Sequence, residues 1–248
     1  MGVFIKNDEQ VSFMRTASKV CARTHELLAK HIRPGVTTEE LCAIADDFIR
    51  SNDCKPSFLG YRGFPKSICT SVNDEVIHGV PGLRKLLSGD IISIDIGVCY
   101  KRFHGDAART VACGPISEVH QKLIHVTEQG FFEGLKCCTV ENRLHDISNA
   151  IDDYVKPFGF GIVSEWCGHG VGQQVHEDPQ IPHTRQEKRG PRLRRGMTLA
   201  IEPMINVGTE EIYTLDDTWT VLTRDGEYSA HYENTVLITD GAPEVLTI

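Results

Sequence analysis

The chain has 248 residues, with 26 Lys plus Arg against 34 Asp plus Glu and a formal charge of −8. That length suits one large domain or two small ones, and the acidic balance excludes a whole-chain basic footprint for nucleic acid. Apolar residues at 40% and charged residues at 24% are ordinary for a globular protein. No run of 18 apolar residues predicts a membrane span, and the first ten residues lack the apolar core of a secretory signal. A cytoplasmic protein with no membrane partner is therefore expected. Nine cysteines and eleven histidines are high counts. No C-x-x-C pair occurs, so the thiols read as reduced and mostly buried, with no structural zinc site.

In chain order, Asn7 or Asp8 caps a first helix with Phe13, Ala17, Val20, Thr24 and Leu27 on its buried face, stopped by Pro34-Gly35. A second helix runs from Thr37 to about Arg50 and buries Leu41, Ile44 and Phe48. An irregular stretch rich in Gly, Pro and aromatics follows, from Pro56 to Pro65. Ile91–Tyr100 and Phe103–Ala112 then read as an antiparallel hairpin. From Pro115 the pattern restarts. Ser117 caps a helix carrying Leu123, Val126 and Phe131, and another helix carries Leu144, Ile147 and Ile151 at the relative spacing of Leu41, Ile44 and Phe48. Gly89–Asp95 matches Gly196–Glu202, and His104-Gly105-Asp106 matches His231-Tyr232-Glu233. These matches fall in order with growing offsets, as insertions produce. They predict an α+β fold: one domain, 1–248, of two pseudo-symmetric halves (about 1–114 and 115–248), with helices packed on a curved, mostly antiparallel sheet.

The duplication sets Asp95 against Glu202 and Asp106 against Glu233, each within a strand-like apolar run. Ionised carboxylates are expensive there unless paired or bound to a cation. With the hairpin turn centred between Tyr100 and Lys101, Asp95 and Asp106 are expected to be direct cross-strand partners, with Cβ atoms about 5 Å apart. His169 lies in the glycine-alternating stretch Gly168–Gly172, and His176 follows shortly after. A phosphate-cradling loop is a poor fit, because the third glycine comes too soon and no helix pattern follows. Two Asp, two Glu and one His make an oxygen-rich set with no thiolate, which favours Mn, Fe, Co or Zn. Four carboxylates are too many for one tetrahedral ion and suit two ions sharing bridging carboxylates. Such two-metal sites, known from nucleases, phosphatases and aminopeptidases, activate water and polarise a carbonyl or phosphoryl oxygen.

Gly60–Cys69, Asn73–Pro81, Ser93–Asp106, Gly168–Gln180, Ala200–Asn206 and His231–Asp240 together resemble methionine aminopeptidases of type I, with their pita-bread fold. The resemblance covers nearly the whole chain. It implies two divalent ions held by Asp95, Asp106, His169, Glu202 and Glu233, and removal of N-terminal methionine from nascent polypeptides by a metal-bridging hydroxide. It implies Glu202 as proton shuttle, His176 as oxyanion donor and His78 as a contact to the scissile amide or the leaving group. It also implies a methionine pocket of Phe58, Tyr61, Phe64, Cys69 and Trp219, a monomeric state and cytoplasmic action. Read from the residues alone, the aromatics of that pocket could equally be a loop packed on the core, and His78 a satisfied histidine. Val175 and Phe58 depart from common family choices and bear on pocket shape. An X-Pro dipeptidase shares the metal set but usually carries a further N-terminal domain, and no such segment is expected here. A non-catalytic relative is expected to have lost ligands. Arg185, Lys188, Arg189, Arg192, Arg194 and Arg195 form a basic run, read first as a solvated connection and second as a transient ribosome contact.

Overall fold

The fold is that of a computed structural model, which describes residues 2–248. Its helices are α1 (Asp8–Ala29), α2 (Thr38–Ser51), α3 (Glu118–Leu135) and α4 (Leu144–Val155). In the amino-terminal part the strands are β1 (Lys55–Pro56), β2 (Cys69–Val72), β3 (Glu75–Ile77), β4 (Ile91–Tyr100) and β5 (Phe103–Ala112). After α4 come β6 (Gly161–Ile162), β7 (Gly168–Gly170), β8 (Glu177–Ile181), β9 (Thr198–Ile201) and β10 (Met204–Asn206). The last strands are β11 (Ile212–Thr214), β12 (Val221–Thr223), β13 (Ser229–His231), β14 (Asn234–Leu237) and β15 (Glu244–Val245).

Local chemistry sets the helix starts. Asn7 and Gln10 form a reciprocal capping box on α1, and Thr37 with Glu40 does the same on α2. The Ser117 hydroxyl accepts from the His120 backbone N–H and caps α3. All strand pairs are antiparallel. The β4–β5 hairpin is extended by β1 and β2 along β4, while β15-β14-β9-β7-β8 form a second sheet. Two smaller sheets, β13-β10-β6 and β11-β12-β3, complete the set.

One apolar cluster joins α1 and α2 to β2, β4 and β5 through Ala17, Cys21, Leu41, Ala45, Ile49, Val72, Ile94 and Ile96. Another joins α3 and α4 to β9, β10 and β14 through Leu123, Phe131, Ile147, Ile151, Leu199, Ile205 and Val236. The hairpin is tied to the second sheet by backbone bonds. Glu233 N–H donates to Ala108 O at 2.9 Å, and Ala108 N–H to Glu233 O at 3.3 Å. The Thr235 hydroxyl bonds both backbone groups of Asp106.

Two expectations are corrected. The buried stripe of α1 runs through Val11, Met14, Ala17, Ser18, Val20, Cys21, Thr24 and Leu28, so Ala17, Val20 and Thr24 lie as expected while Phe13 and Leu27 are only half-buried. In α2, Leu41, Cys42, Ala45 and Ile49 are buried, while Ile44 and Phe48 sit at the border. Met14, Leu28, Leu41 and Ile49 are fully buried, while Phe13, Leu27, Ile44 and Phe48 border the interface. The second correction concerns the hairpin. Its turn is Lys101-Arg102, with φ of 47° and 69°, the left-handed conformation that two-residue hairpin turns require. Tyr100 therefore pairs with Phe103, Asp95 with Ala108 and Gly97 with Asp106. Asp95 and Asp106 are diagonal neighbours on one face, not direct partners.

The closest helix–sheet contact is at Gly105, where a Cβ would lie 2.3 Å from Ser18 Oγ and 2.7 Å from the Ser18 backbone. Gly105→Ala is expected to cost ~1–3 kcal/mol through overpacking, read as a thermal midpoint lowered by roughly 2–4 °C per kcal/mol. An unchanged midpoint would contradict this packing.

Candidate metal centre and substrate cleft

A cleft of about 730 Å³ opens between the two larger sheets, with Asp95, Asp106, His169, Glu202 and Glu233 among its lining residues. Asp95 comes from β4 and Asp106 from β5. His169 is the middle residue of β7, Glu202 follows β9, and Glu233 sits between β13 and β14. Ligand atoms of Asp106, His169 and Glu233 all lie within 4.8 Å of one another. His169 Nε2 is 3.3 Å from Glu202 Oε1. The Asp95 and Asp106 carboxyls share a hydrogen bond. All five expected ligands thus converge.

The electrostatics of this cluster are adverse without a cation. Burial pushes Asp95 up to about 7. Asp106, Glu202 and Glu233 are held well above the usual carboxylate range, first by burial and then by the charges of their acidic neighbours. Each of the four carboxyls keeps one buried oxygen with no hydrogen-bond partner: Asp95 Oδ1, Asp106 Oδ1, Glu202 Oε1 and Glu233 Oε1. Buried polar atoms are rarely left so. His169 Nδ1 lies 2.9 Å from the Gly170 carbonyl, which can only accept, so the proton is on Nδ1 and the Nε2 lone pair faces the acids. Burial lowers this imidazole to about 4, so it is neutral near pH 7. Orphaned oxygens and a bare imidazole nitrogen pointing at one another form a donor set that fits divalent cations.

Beside this floor, Phe58, Phe64, Cys69 and Val175 form an apolar cluster completed by Tyr61, Val80 and Trp219. The expected pocket residues are therefore assembled as a slot and not scattered over the core. Cys69 pairs in register with Asp95, so slot and acid cluster share the β2–β4 ladder. Burial, and secondarily the nearby acids, push the Cys69 thiol well up, which keeps it protonated. His176 stacks on Tyr61, with Nδ1 2.9 Å from the Tyr61 hydroxyl. Its ring centre is 4.2 Å from that of His169. Burial lowers His176 to about 3 and His78 to about 4, so both are neutral donors at pH 7. His78 holds φ at 59°, a conformation that costs a non-glycine residue about 1–3 kcal/mol and is tolerated where the surroundings enforce it. Next to it, the Gly79 backbone lies against β2: a Cβ there would be 2.1 Å from Thr70 O, and Thr70 N–H donates to the Gly79 carbonyl at 2.8 Å.

Several contributors escape sequence reasoning. His231 Nε2 lies 3.7 Å from Glu202 Oε2, and the Glu202 backbone N–H donates to His183 Nε2 at 3.3 Å. Arg109 donates to the Glu233 carbonyl, to Asn234 Oδ1 and to Thr247 O, and lies 4.4 Å above the Tyr232 ring. It thereby fixes the turn that carries Glu233. Trp166 lines the cleft edge-on to His78 at 4.9 Å. Lys6 and Glu177 form a buried ion pair at 2.6 Å, and Glu177 also accepts from Gln174 N–H. That pair anchors the segment bearing His176. The sequence signals were slight: a histidine two residues before Glu233, and a tryptophan three before His169.

The family model for metallopeptidase family M24 matches residues 12–240. A methionine aminopeptidase of Clostridium perfringens is 52% identical over 246 residues, covering 99% of each chain. The crystal structure of a methionine aminopeptidase from Thermotoga maritima superposes with a TM-score of 0.97 at 38% identity, covering 99% of both chains. A prolidase from Pyrococcus furiosus, at 20% identity and a TM-score of 0.79, shares the fold over 98% of this chain and 65% of its own.

The raised carboxyls have a consequence for the metal-free protein. An acid whose folded pKa is raised contributes stability at low pH that is lost as pH rises through that pKa. The buried histidines, with lowered values, act oppositely, but only below their ordinary 6.5. Above pH 6.5 the acids dominate, with Asp95 titrating at about 7 and the other three held well above the usual carboxylate range. The thermal midpoint of chelator-treated protein is expected to fall from pH 6.5 to 8.5, and Mn²⁺ is expected to restore it. A midpoint that rises with pH over that range would refute this account.

Proposed function

On the premise that this chain belongs to metallopeptidase family M24, we propose that it is a metal-dependent aminopeptidase hydrolysing the N-terminal methionine from nascent proteins and peptides with a small second residue. The observation that carries this reading is the junction of two features. Four buried carboxyls with orphaned oxygens and a bare imidazole nitrogen lie at the floor of a cleft, directly beside an apolar, aromatic-lined slot.

Asp95, Asp106, His169, Glu202 and Glu233 would hold two divalent ions, of Co, Mn, Fe or Zn. When bound, such a pair supplies Lewis-acid polarisation of a carbonyl and a water of lowered pKa. The remaining work falls to the chain. The slot of Phe58, Tyr61, Phe64, Cys69 and Trp219 takes the flexible thioether side chain, with Val175 and Val80 closing it. Glu202, whose second oxygen faces His231, accepts the proton of the attacking water and passes it to the departing amine. The Tyr61 hydroxyl engages His176 Nδ1, which leaves the Nε2 edge of the ring to serve the oxyanion. His78, held against Trp166, serves the scissile amide or the leaving group.

We further read the chain as one catalytic domain of two related halves, monomeric and cytoplasmic. All nine cysteines are free, in keeping with a reducing compartment. No helix among the described residues is long and apolar enough to cross a membrane. Within the basic run, Arg185 pairs with Asp153, Arg189 with Asp146, and Arg195 with Asp8 and Asp240. The exposed Lys188, Arg192 and Arg194 carry no salt bridge among the described residues and form the candidate surface for transient ribosome contact.

A Met-Ala-Ser peptide is expected to lose free methionine to the Mn²⁺-loaded protein, whereas an Ala-Pro dipeptide is left intact. No release with Mn²⁺, Fe²⁺ or Co²⁺ sinks the reading. Asp106→Asn and Glu233→Gln are expected to lower turnover by at least about 10²-fold with the far-ultraviolet circular dichroism unchanged. For the surface, K188E/R192E/R194E is expected to abolish low-salt co-sedimentation with ribosomes while peptide turnover is retained. Unchanged sedimentation would exclude this contact.

A further inference from the structure

Gly97 occupies an unusual place in the β4 strand. Side chains alternate along a strand, so position 97 shares the face of Asp95. In register it stands directly opposite Asp106. It therefore sits beside the acid cluster and directly under the Phe58 ring. Its backbone φ is not in the left-handed region, so the strand itself accepts any residue there. What excludes a side chain is occupancy. A Cβ at Gly97 would lie 2.6 Å from Phe58 Cε1, 2.9 Å from Phe58 Cζ and 2.7 Å from Ser57 Cβ. Ser57 N–H donates to the Gly97 carbonyl at 2.9 Å, which pins the approach of this segment to the strand. The Phe58 ring edge thus fills the volume that any larger residue at 97 would claim, and Phe58 is itself a wall of the slot.

We propose that Gly97 is a specificity-determining residue: its bare Cα seats the Phe58 ring against β4, and this seating sets the depth of the side-chain slot. The proposal deepens the methionine-aminopeptidase reading and rests on it for the identity of the side chain admitted. With a methyl at position 97 the ring is displaced away from β4 into the slot it borders, which then becomes too shallow for an unbranched four-atom side chain. Gly97 acts through Phe58, so it is a positioning residue and not a catalytic one.

Both tryptophans of the chain, Trp166 and Trp219, line the cleft, so intrinsic fluorescence reports occupancy without turnover. The test titrates metal-loaded protein with L-methionine and, separately, measures Met-Ala-Ser hydrolysis. Gly97→Ala is expected to weaken methionine binding and raise KM by about tenfold, the usual scale for a methylene-sized misfit in an apolar pocket, with kcat within about threefold. In a Phe58→Ala background the same substitution is expected to change either quantity by less than about threefold, because the obstructing ring is gone. Phe58→Ala alone is expected to raise kcat/KM for an N-terminal phenylalanine relative to methionine by about tenfold. Metal content is expected to be equal in all variants.

Unaltered binding in Gly97→Ala, an equal loss in both backgrounds, or an unchanged phenylalanine-to-methionine ratio in Phe58→Ala each overturns the proposal. Should Gly97→Ala fail to fold, folding of the double variant supports the proposal and its failure overturns it. Wild-type protein that releases no methionine defeats the functional reading instead, and the fluorescence titration still decides the role of Gly97.

Discussion

The mutual repulsion and desolvation of four carboxyls in one buried floor is the constraint from which the rest of the molecule follows. Asp106 is 3% exposed and Glu233 2%, and each carboxyl keeps an oxygen that the protein does not satisfy. Leaving charged groups in that condition is far costlier than an ordinary polar burial. The chain bears the cost because the floor is stitched from rigid antiparallel ladders. Asp95 and Asp106 hang on the long β4–β5 hairpin, His169 and the Glu202 segment on β7 and β9, and Ala108 and Glu233 exchange two backbone bonds between the sheets. The helices lie against the outer side of these ladders and supply the apolar burial that holds a destabilised centre in place.

Recognition and chemistry use the same strands. Cys69 faces Asp95 across the β2–β4 ladder, and Gly97 stands between the acids and the Phe58 ring. The slot and the acid floor are thus adjacent on one ladder, an arrangement in which seating a side chain also restricts the backbone attached to it. The neutral histidines complete the arrangement. Burial lowers His78 and His176, and neither can charge near neutral pH, so they serve as hydrogen-bond donors without adding cations beside a metal centre. The buried Lys6–Glu177 pair holds the His176 segment from behind.

Much of this was legible in the residues. The strand limits of the hairpin, the helix starts near Asn7, at Thr37 and at Ser117, and the five candidate ligands were all readable, because capping, alternation and isolated acids in apolar runs are local signals. The Asp95–Asp106 register was misread by two residues, because Lys101-Arg102 lacks the Gly or Asn that normally marks a turn of this hand. On α1 and α2 the buried face was legible at Ala17, Val20, Thr24 and Leu41, but Phe13, Leu27, Ile44 and Phe48 lie at its border, since the closeness of helix to sheet is set by Gly105 and Ser18 together and neither announces it alone.

By itself, then, the sequence determined which residues carry charge or a metal-binding nitrogen, which segments alternate, and where helices begin, because those properties depend on neighbours along the chain. The tertiary structure alone decided that His231 and His183 flank Glu202, that Arg109 holds the Glu233 turn, and that the aromatics after Pro56 form a slot and not a packed loop. Each of these depends on contacts between segments far apart in sequence, whose geometry follows only from how the sheets close on one another.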